Sequence, residues 1–527
     1  MESSRSRRAS FRKERNSWLA ACVLLVSIGL ATFYFASNLS GGGRTNSLSV
    51  SDELFNSDSL TTSEFVSSLM SGASPNDWVL GYSLELFPEH LVYLITAFLG
   101  MSTSMQVYVN MVTQVALSGL LTILLFTLLF GRRASLVGAF VGLFMVSLAM
   151  AYEAPFSLLF VSKFHFGTFA SSLGGLVLVL WQPATPGKVR FRYLALFTLS
   201  ALTTASDLAY LTYFVVPMLL ASLLLLRHEN RRSVTVSMII VFLGAGLGVL
   251  FSVYRPIEGQ GASPALEPTA VSRALLPWIK DFGNWLLQVP MFTGSVLILV
   301  ALLVFVVIRG RRPNTATVCD RETLKLFFVS IFGLLAALST ILASMSLQGE
   351  YAFTTRYLIP LVWWTVIVLI LWLYKFAPRD ALLVLLVLAG LTSASLLPRV
   401  SVENIRYLSL ERYPGSHACI DEILTARPDI RHGIAGYWDA RQIQTLVKTP
   451  ITLAPYQVGA NRHQDNMPRN ETFYRSSYDF AIVSQRAIEP HTLDAEALRY
   501  RAGEPAKKLN CEPFELWIYG NDDLRLR

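Results

Sequence analysis

The stretch SDELFNSDSL, residues 51–60, gathers groups that do proton chemistry. Asp52, Glu53 and Asp58 can each take a proton, hold a cation or accept a hydrogen bond from a hydroxyl. Further ionisable groups stand beside apolar runs: Glu89, Glu153, Lys163, His165, Asp207 and Arg356. A carboxylate placed against a substrate hydroxyl serves as a general base. A guanidinium grips an anion such as a lipid-linked phosphate through two parallel N–H donors, which is the sharper reading of Arg356; the blander one is a side chain reaching up to the membrane interface. The seven His and four Cys show no metal-ligand spacing and no CxxC motif.

These groups must be positioned by a chain that is mostly apolar. Of 527 residues, 53% are hydrophobic and 15% charged, where soluble proteins carry roughly 25% charged residues. The composition implies an α-helical polytopic membrane protein with soluble parts attached. The net charge of +8 does not point to nucleic acid, because topology accounts for most of it. Residues 1–16 form a basic tail with six Arg or Lys and two Glu. The apolar run 17–36 exceeds the roughly 7–15 residues of a signal-peptide core and reads as an uncleaved anchor.

Eleven apolar stretches have membrane character: 17–36, 107–130, 134–152, 166–182, 193–206, 208–226, 233–254, 292–308, 326–346, 357–374 and 381–397. Arg132-Arg133, KVRFR at 188–192, RHENRR at 227–232, RGRR at 309–312 and Lys375 with Arg379 fall in alternate loops. The positive-inside rule then puts the N-terminus in the cytoplasm and, with an odd number of spans, the C-terminal part outside. Residues 193–226 are too long for one span and short for two, which predicts a pair of shortened helices with Asp207 at their turn. An ionisable group there is a functional candidate, or else the N-cap of the helix that follows.

The first outer loop, 37–106, opens with a linker-like SNLSGGGRTNSLS and continues into DSLTTSEFVSSLM. Leu60, Phe65 and Leu69 share one helical face, which predicts an amphipathic helix on the membrane with Asp58 at its start. Asp58 also reads as an N-cap, and Glu64 as part of a solvated face. LFPEHLVYLITAFLG at 86–100 is short for a span and predicts an interfacial or re-entrant helix starting at Pro88-Glu89.

Residues 399–527 hold 17 Arg or Lys and 17 Asp or Glu, and short apolar runs alternate with helical ones. That pattern predicts a small extracytoplasmic α/β domain. It has no Gly-rich phosphate loop and no Ser-His-Asp signature, so it reads as accessory to the membrane domain at 17–398. Cys419 and Cys511 both fall in it, where an oxidising compartment permits a disulfide, although sequence gives no distance between them. NLS at 38 and NET at 470 match the glycosylation sequon, a pattern short enough to arise by chance.

Taken in order, these motifs resemble the GT-C superfamily of membrane glycosyltransferases. The resemblance rests on Asp58 in FNSDSL, with Asp52 and Glu53 close by, and on NDWVLGYSLELFPEHL, which holds Trp78 and Phe87-Pro88-Glu89. HFGT at 165–168, SD at 206–207 and RYLIP at 356–360 look like further recurring positions. The sequence departs from the pattern in its acidic pair, since Asp52-Glu53 is adjacent while Asp58 fits the helix start better, and in Glu89, which stands where Asp is expected.

The resemblance implies a GT-C-like fold and transfer of a sugar from a polyprenyl-phosphate-linked donor to a glycan, glycolipid or protein acceptor at the outer face of a bacterial inner membrane. It implies Asp58 as base, with Asp52 and Glu53 as neighbours, and Arg356 as phosphate clamp. Lys163, His165, Glu89 and Trp78 are further substrate contacts. Asp207 and Glu153 orient the acceptor or hold a divalent cation. The rival readings are a glycolipid transporter and a non-catalytic scaffold of an envelope-glycan complex. A transporter is expected to show an internal repeat and polar groups through the membrane depth, and the sequence shows neither.

Overall fold

The computed structural model describes residues 2–40, 54–80, 84, 86–152, 154–225, 231–253, 268–310, 321–347, 355–394, 408–462, 468–485, 492–520 and 523–526. Asp52, Glu53 and Glu153 lie outside the described residues.

Six helices among the described residues have the length and composition to cross a membrane: Arg15–Ser37, Thr103–Phe130, Arg132–Ala151, Ser233–Ser252, Glu322–Met345 and Thr355–Phe376. The pair Leu275–Gln288 and Phe292–Phe305, bent by 108°, makes a seventh when counted as one span. The chain is therefore a polytopic α-helical membrane protein, with six or seven such spans where eleven were expected. The difference has a physical reason. The stretches 166–182 and 208–226 form only Phe166–Leu180 and Leu211–Leu223, shorter than the roughly 20 residues that cross a core of about 30 Å. The stretch 193–206 is the end of a helix, Pro186–Ser206, that begins with Lys188, Arg190 and Arg192. The helix containing 381–394, Pro378–Ala394, has 17 residues.

Close backbone approach and aromatic layers hold the bundle together. Gly244 and Gly248 face the carbonyls of Phe197 and Ala201, where an added Cβ would sit 2.6 Å from each oxygen. Small residues at such spacing let membrane helices pack at short range. Trp363 and Trp364 are fully buried on the helix Ile359–Phe376. Trp363 meets Phe156 edge-on, and Trp364 meets Phe169 and Phe332 in the same way, an arrangement favoured by the ring quadrupoles.

The C-terminal part is an α/β unit. Its strands are β2 (His432–Gly436), β3 (Thr452–Gln457), β4 (Asn461–Arg462), β6 (Phe480–Ser484), β7 (Lys507–Cys511) and β8 (Phe514–Ile518), in the order β4-β3-β2-β6-β8-β7. β2 runs parallel to β3 and β6, and the other pairs are antiparallel. A parallel neighbour needs a crossover, and the helix Tyr437–Leu446 supplies it between β2 and β3. Ile420, Leu424, Ile443, Leu453, Phe480 and Leu516 form the core on one side of the sheet. A disulfide joins Cys419 and Cys511, with Cα atoms 5.7 Å apart. Asn470 of the NET sequon is buried, and its Oδ1 accepts from the backbone N–H and hydroxyl of Thr472.

This unit is fastened to the first long loop. β1 (Trp78–Val79) pairs antiparallel with β5 (Arg469–Asn470), Trp78 opposite Asn470. Arg412 N–H donates to Ser104 Oγ at 3.0 Å, and Ser102 Oγ donates to Glu411 at 2.6 Å. Between the α/β unit and the bundle lies the helix Ser57–Met70, whose residues 57 and 59–66 are buried. The amphipathic helix expected on the membrane surface is thus a covered one.

Candidate active site

The helix Ser57–Met70 starts at Asn56, whose Oδ1 accepts from Ser59 N–H at 2.7 Å. Asn56 is the N-cap, so Asp58 is free of that duty and stands in the first turn, where the helix dipole favours a carboxylate. Asp58 is half-buried. Its Oδ1 accepts from the Tyr437 hydroxyl at 2.6 Å. No partner is recorded for Oδ2 among the described residues. Tyr437 comes from the α/β unit, and burial followed by the charge of Asp58 pushes its hydroxyl well above the usual tyrosine range. It therefore stays a donor.

The same face of the helix is locked further along. Arg441 donates through Nε to Glu64 Oε2, through Nη1 to Ser57 O and Thr61 Oγ1, both at 2.8 Å, and through Nη2 to Pro468 O at 2.9 Å. Gln444 Nε2 donates to the other Glu64 oxygen at 2.6 Å. Glu64, read from sequence as solvated, is buried in an ion pair. Ser57 Oγ reaches back to the carbonyls of Tyr437 and Trp438.

The bundle side of Asp58 is built from residues 162–168. Ser162 Oγ donates to Ser59 O at 3.1 Å and receives the hydroxyl of Tyr93 at 3.0 Å. That bond ties the segment leading into Lys163 to the first turn of the helix that carries Asp58. Lys163, Phe164 and His165 have φ of 72°, 63° and 69°. Three successive non-glycine residues in the left-handed region each cost roughly 1–2 kcal/mol, and such strain persists only where the surroundings impose it. Lys163 is buried and has no ion pair or hydrogen bond among the described residues.

His165 continues into a buried network. Its Nδ1 lies 2.6 Å from Asp207 Oδ2, which also accepts from the Thr168 hydroxyl. Asp207 Oδ1 accepts from Ala209 N–H at 3.0 Å. Asp207 thus caps the turn after Ser206 and is paired with His165. The His165 ring stacks on Tyr357 at 4.8 Å, and the Arg356 guanidinium lies 5.2 Å from the Tyr357 ring. Glu89 is buried and accepts from Gly167 N–H at 3.0 Å.

His165, Asp207, Glu89 and Arg356 thus belong to one connected region, and the bond from Ser162 to Ser59 O joins the segment leading into Lys163 and His165 to the helix that carries Asp58. Trp78 does not face it. Its ring is fully buried, edge-on to Phe65, with Nε1 donating to Ser68. Tyr437 and Arg441 went unnoticed in the sequence, since no local motif marks a contact across more than 370 positions. Among the described residues no group of three or more His, Cys, Asp or Glu is placed to hold a metal ion.

Solved structures of membrane proteins are similar to this chain at low identity. ArnT from Cupriavidus metallidurans in the apo state matches with a TM-score of 0.47 and 12% identity, over 96% of this chain and 99% of that one. The same protein bound to undecaprenyl phosphate matches with a TM-score of 0.43 and 14% identity, over 83% and 85%. The Archaeoglobus fulgidus oligosaccharyltransferase in the apo form matches with a TM-score of 0.48 and 10% identity, over 88% and 69%. No protein-family model and no curated protein matches the chain.

Proposed function

We propose that the chain is a GT-C-type membrane glycosyltransferase that moves a sugar from a polyprenyl-phosphate-linked donor to a glycan, glycolipid or protein acceptor on the outer face of the membrane. The observation that carries this reading is the setting of Asp58: one oxygen is held by Tyr437, and the other has no partner among the described residues. A carboxylate so divided between an anchor and an open acceptor position suits a general base.

In this reading Asp58 Oδ2 takes the proton of the acceptor hydroxyl as that oxygen attacks the anomeric carbon. The new C–O bond forms while the bond from that carbon to the phosphate oxygen breaks, and its electron pair leaves with the lipid phosphate. Attack opposite the leaving group inverts the carbon. Phosphate is a good leaving group, so the protein's task is to stabilise its charge. Lys163, buried next to Ser162, which bonds the Asp58 helix through Ser59, and Arg356, beside Tyr357, are the cations that meet this charge.

The test compares envelope glycans by mass spectrometry in cells carrying wild type, Asp58→Asn or a deletion, at matched protein levels. The reading predicts that deletion and Asp58→Asn remove the same sugar. If deletion changes the glycan and Asp58→Asn leaves it intact, Asp58 is not the base, and transport or scaffolding takes precedence.

A further inference from the structure

The base and its anchor come from different parts of the chain. Asp58 opens the loop helix, and Tyr437 opens the helix Tyr437–Leu446 of the α/β unit, 379 positions away. Tyr437 is 1% exposed, so its hydroxyl has little access to water. Its backbone is pinned as well: its carbonyl and that of Trp438 both receive Ser57 Oγ, at 2.6 and 3.0 Å. One turn further on, Arg441 ties the same helix to Ser57 O, Thr61 and Glu64. The ring therefore cannot drift without breaking several bonds, and its hydroxyl arrives at Asp58 Oδ1 in a fixed geometry.

We propose that Tyr437 is a positioning residue for the Asp58 base, so that the α/β unit completes the active site instead of merely covering it. This rests on the reading of Asp58 given above. The hydrogen bond fixes the carboxylate's rotation and leaves Oδ2 as the oxygen that meets an acceptor hydroxyl. Burial, then the Asp58 charge, holds Tyr437 protonated at neutral pH, so the bond persists.

The experiment uses the full-length protein in membranes and needs no knowledge of the donor. Tyr437→Phe keeps the ring and removes the donor, and is expected to lower the glycan product at least several-fold in cells at matched protein levels. Incorporating 3-fluorotyrosine at position 437 restores the hydroxyl donor and is expected to restore the product. Ser57→Ala removes the hydrogen bond to the Tyr437 and Trp438 carbonyls without touching the carboxylate, and is expected to keep the product near the wild-type level.

A wild-type level of product in Tyr437→Phe overturns the proposal. So does an equal loss in Ser57→Ala, or a failure of 3-fluorotyrosine to restore the product, because docking rather than the hydroxyl would then be responsible. The two readings fail separately. If Asp58→Asn leaves the glycan unchanged, the base assignment falls. If Asp58→Asn abolishes the product while Tyr437→Phe leaves it unchanged, the base stands and the positioning role falls.

Discussion

Arg441 reaches out of the α/β unit and forms a buried ion pair with Glu64 on the helix that carries Asp58. Both side chains are less than a tenth exposed. Each remaining polar atom of the pair has a partner: Nη1 and Nη2 meet Ser57, Thr61 and Pro468, and Gln444 takes the second carboxylate oxygen. A buried pair of this kind is net useful only when so satisfied, because desolvation of two charges is costly.

Breaking one partner should therefore be severe. Arg441→Met leaves Glu64 buried and uncompensated, a loss of about 3–5 kcal/mol. The expected result is earlier unfolding of the α/β unit and rapid proteolysis near residues 408–414. Replacing both partners, Arg441→Met with Glu64→Leu, is expected to recover much of the loss, since no orphan charge remains. A single Arg441→Met variant that melts like wild type would remove the latch from the account.

A second prediction concerns Gly167. A methyl group there would overlap the Glu89 carboxylate, which accepts from the Gly167 N–H. Gly167→Ala must push Glu89 away, and a buried carboxylate that loses its donor is costly by roughly 1–3 kcal/mol or more. The expected outcome is a lower melting temperature, and Glu89→Ala should relieve much of it by making room. If Gly167→Ala alone is neutral, the close approach of these two residues is not a constraint on the fold.

Much of this region was legible in the sequence, for reasons that differ residue by residue. Asp207 and Arg356 stood out because charged side chains in apolar runs are costly, so each announces a partner. The α/β pattern of the C-terminal part showed through its alternating short apolar runs. The role of Asp58 relative to the helix start was one residue pair short: Asn56, not Asp58, is the cap. The number of spans was overread because hydropathy does not report helix length, and Phe166–Leu180 is too short to cross alone. Glu64, Tyr437 and Arg441 were illegible in their roles. Their bonds join positions far apart in the chain, and a solvated glutamate and a buried one look alike in one sequence.

The acid stability of the α/β unit should depend on Asp421. Burial acts to raise its pKa, but hydrogen bonds from Lys448 N–H, the Tyr413 hydroxyl and Thr449 N–H outweigh it and hold the carboxyl below its usual range. Those bonds measure 2.8, 2.6 and 2.8 Å. A carboxylate with a depressed folded pKa contributes stability at pH values above its unfolded pKa, near 4. That contribution is lost as the pH falls through the lower, folded value. The melting temperature of the whole protein is therefore expected to drop between about pH 4 and the lower folded pKa, and Asp421→Asn is expected to flatten that part of the curve while lowering stability at pH 7. An unchanged acid limb in Asp421→Asn would assign the acid sensitivity to other groups.

The His165–Asp207 pair separates a chemical role from a packing role. His165 makes two kinds of contact: its ring stacks on Tyr357, and its Nδ1 meets Asp207. His165→Phe keeps a flat ring against Tyr357 and removes the polar contact. Asp207→Asn keeps the shape of the carboxyl group and removes its charge, while Thr168 still has an oxygen to donate to. If the pair acts as a unit that orients a nitrogen toward the donor phosphate, each single variant abolishes most of the glycan product and the double variant is no worse than either. Such coupling between contacting residues is typically about 0.5–3 kcal/mol. If His165→Phe forms product at the wild-type rate, the ring serves packing alone, and Lys163 and Arg356 must carry the phosphate between them. The Asp207→Asn variant then reports only on the turn it caps through Ala209.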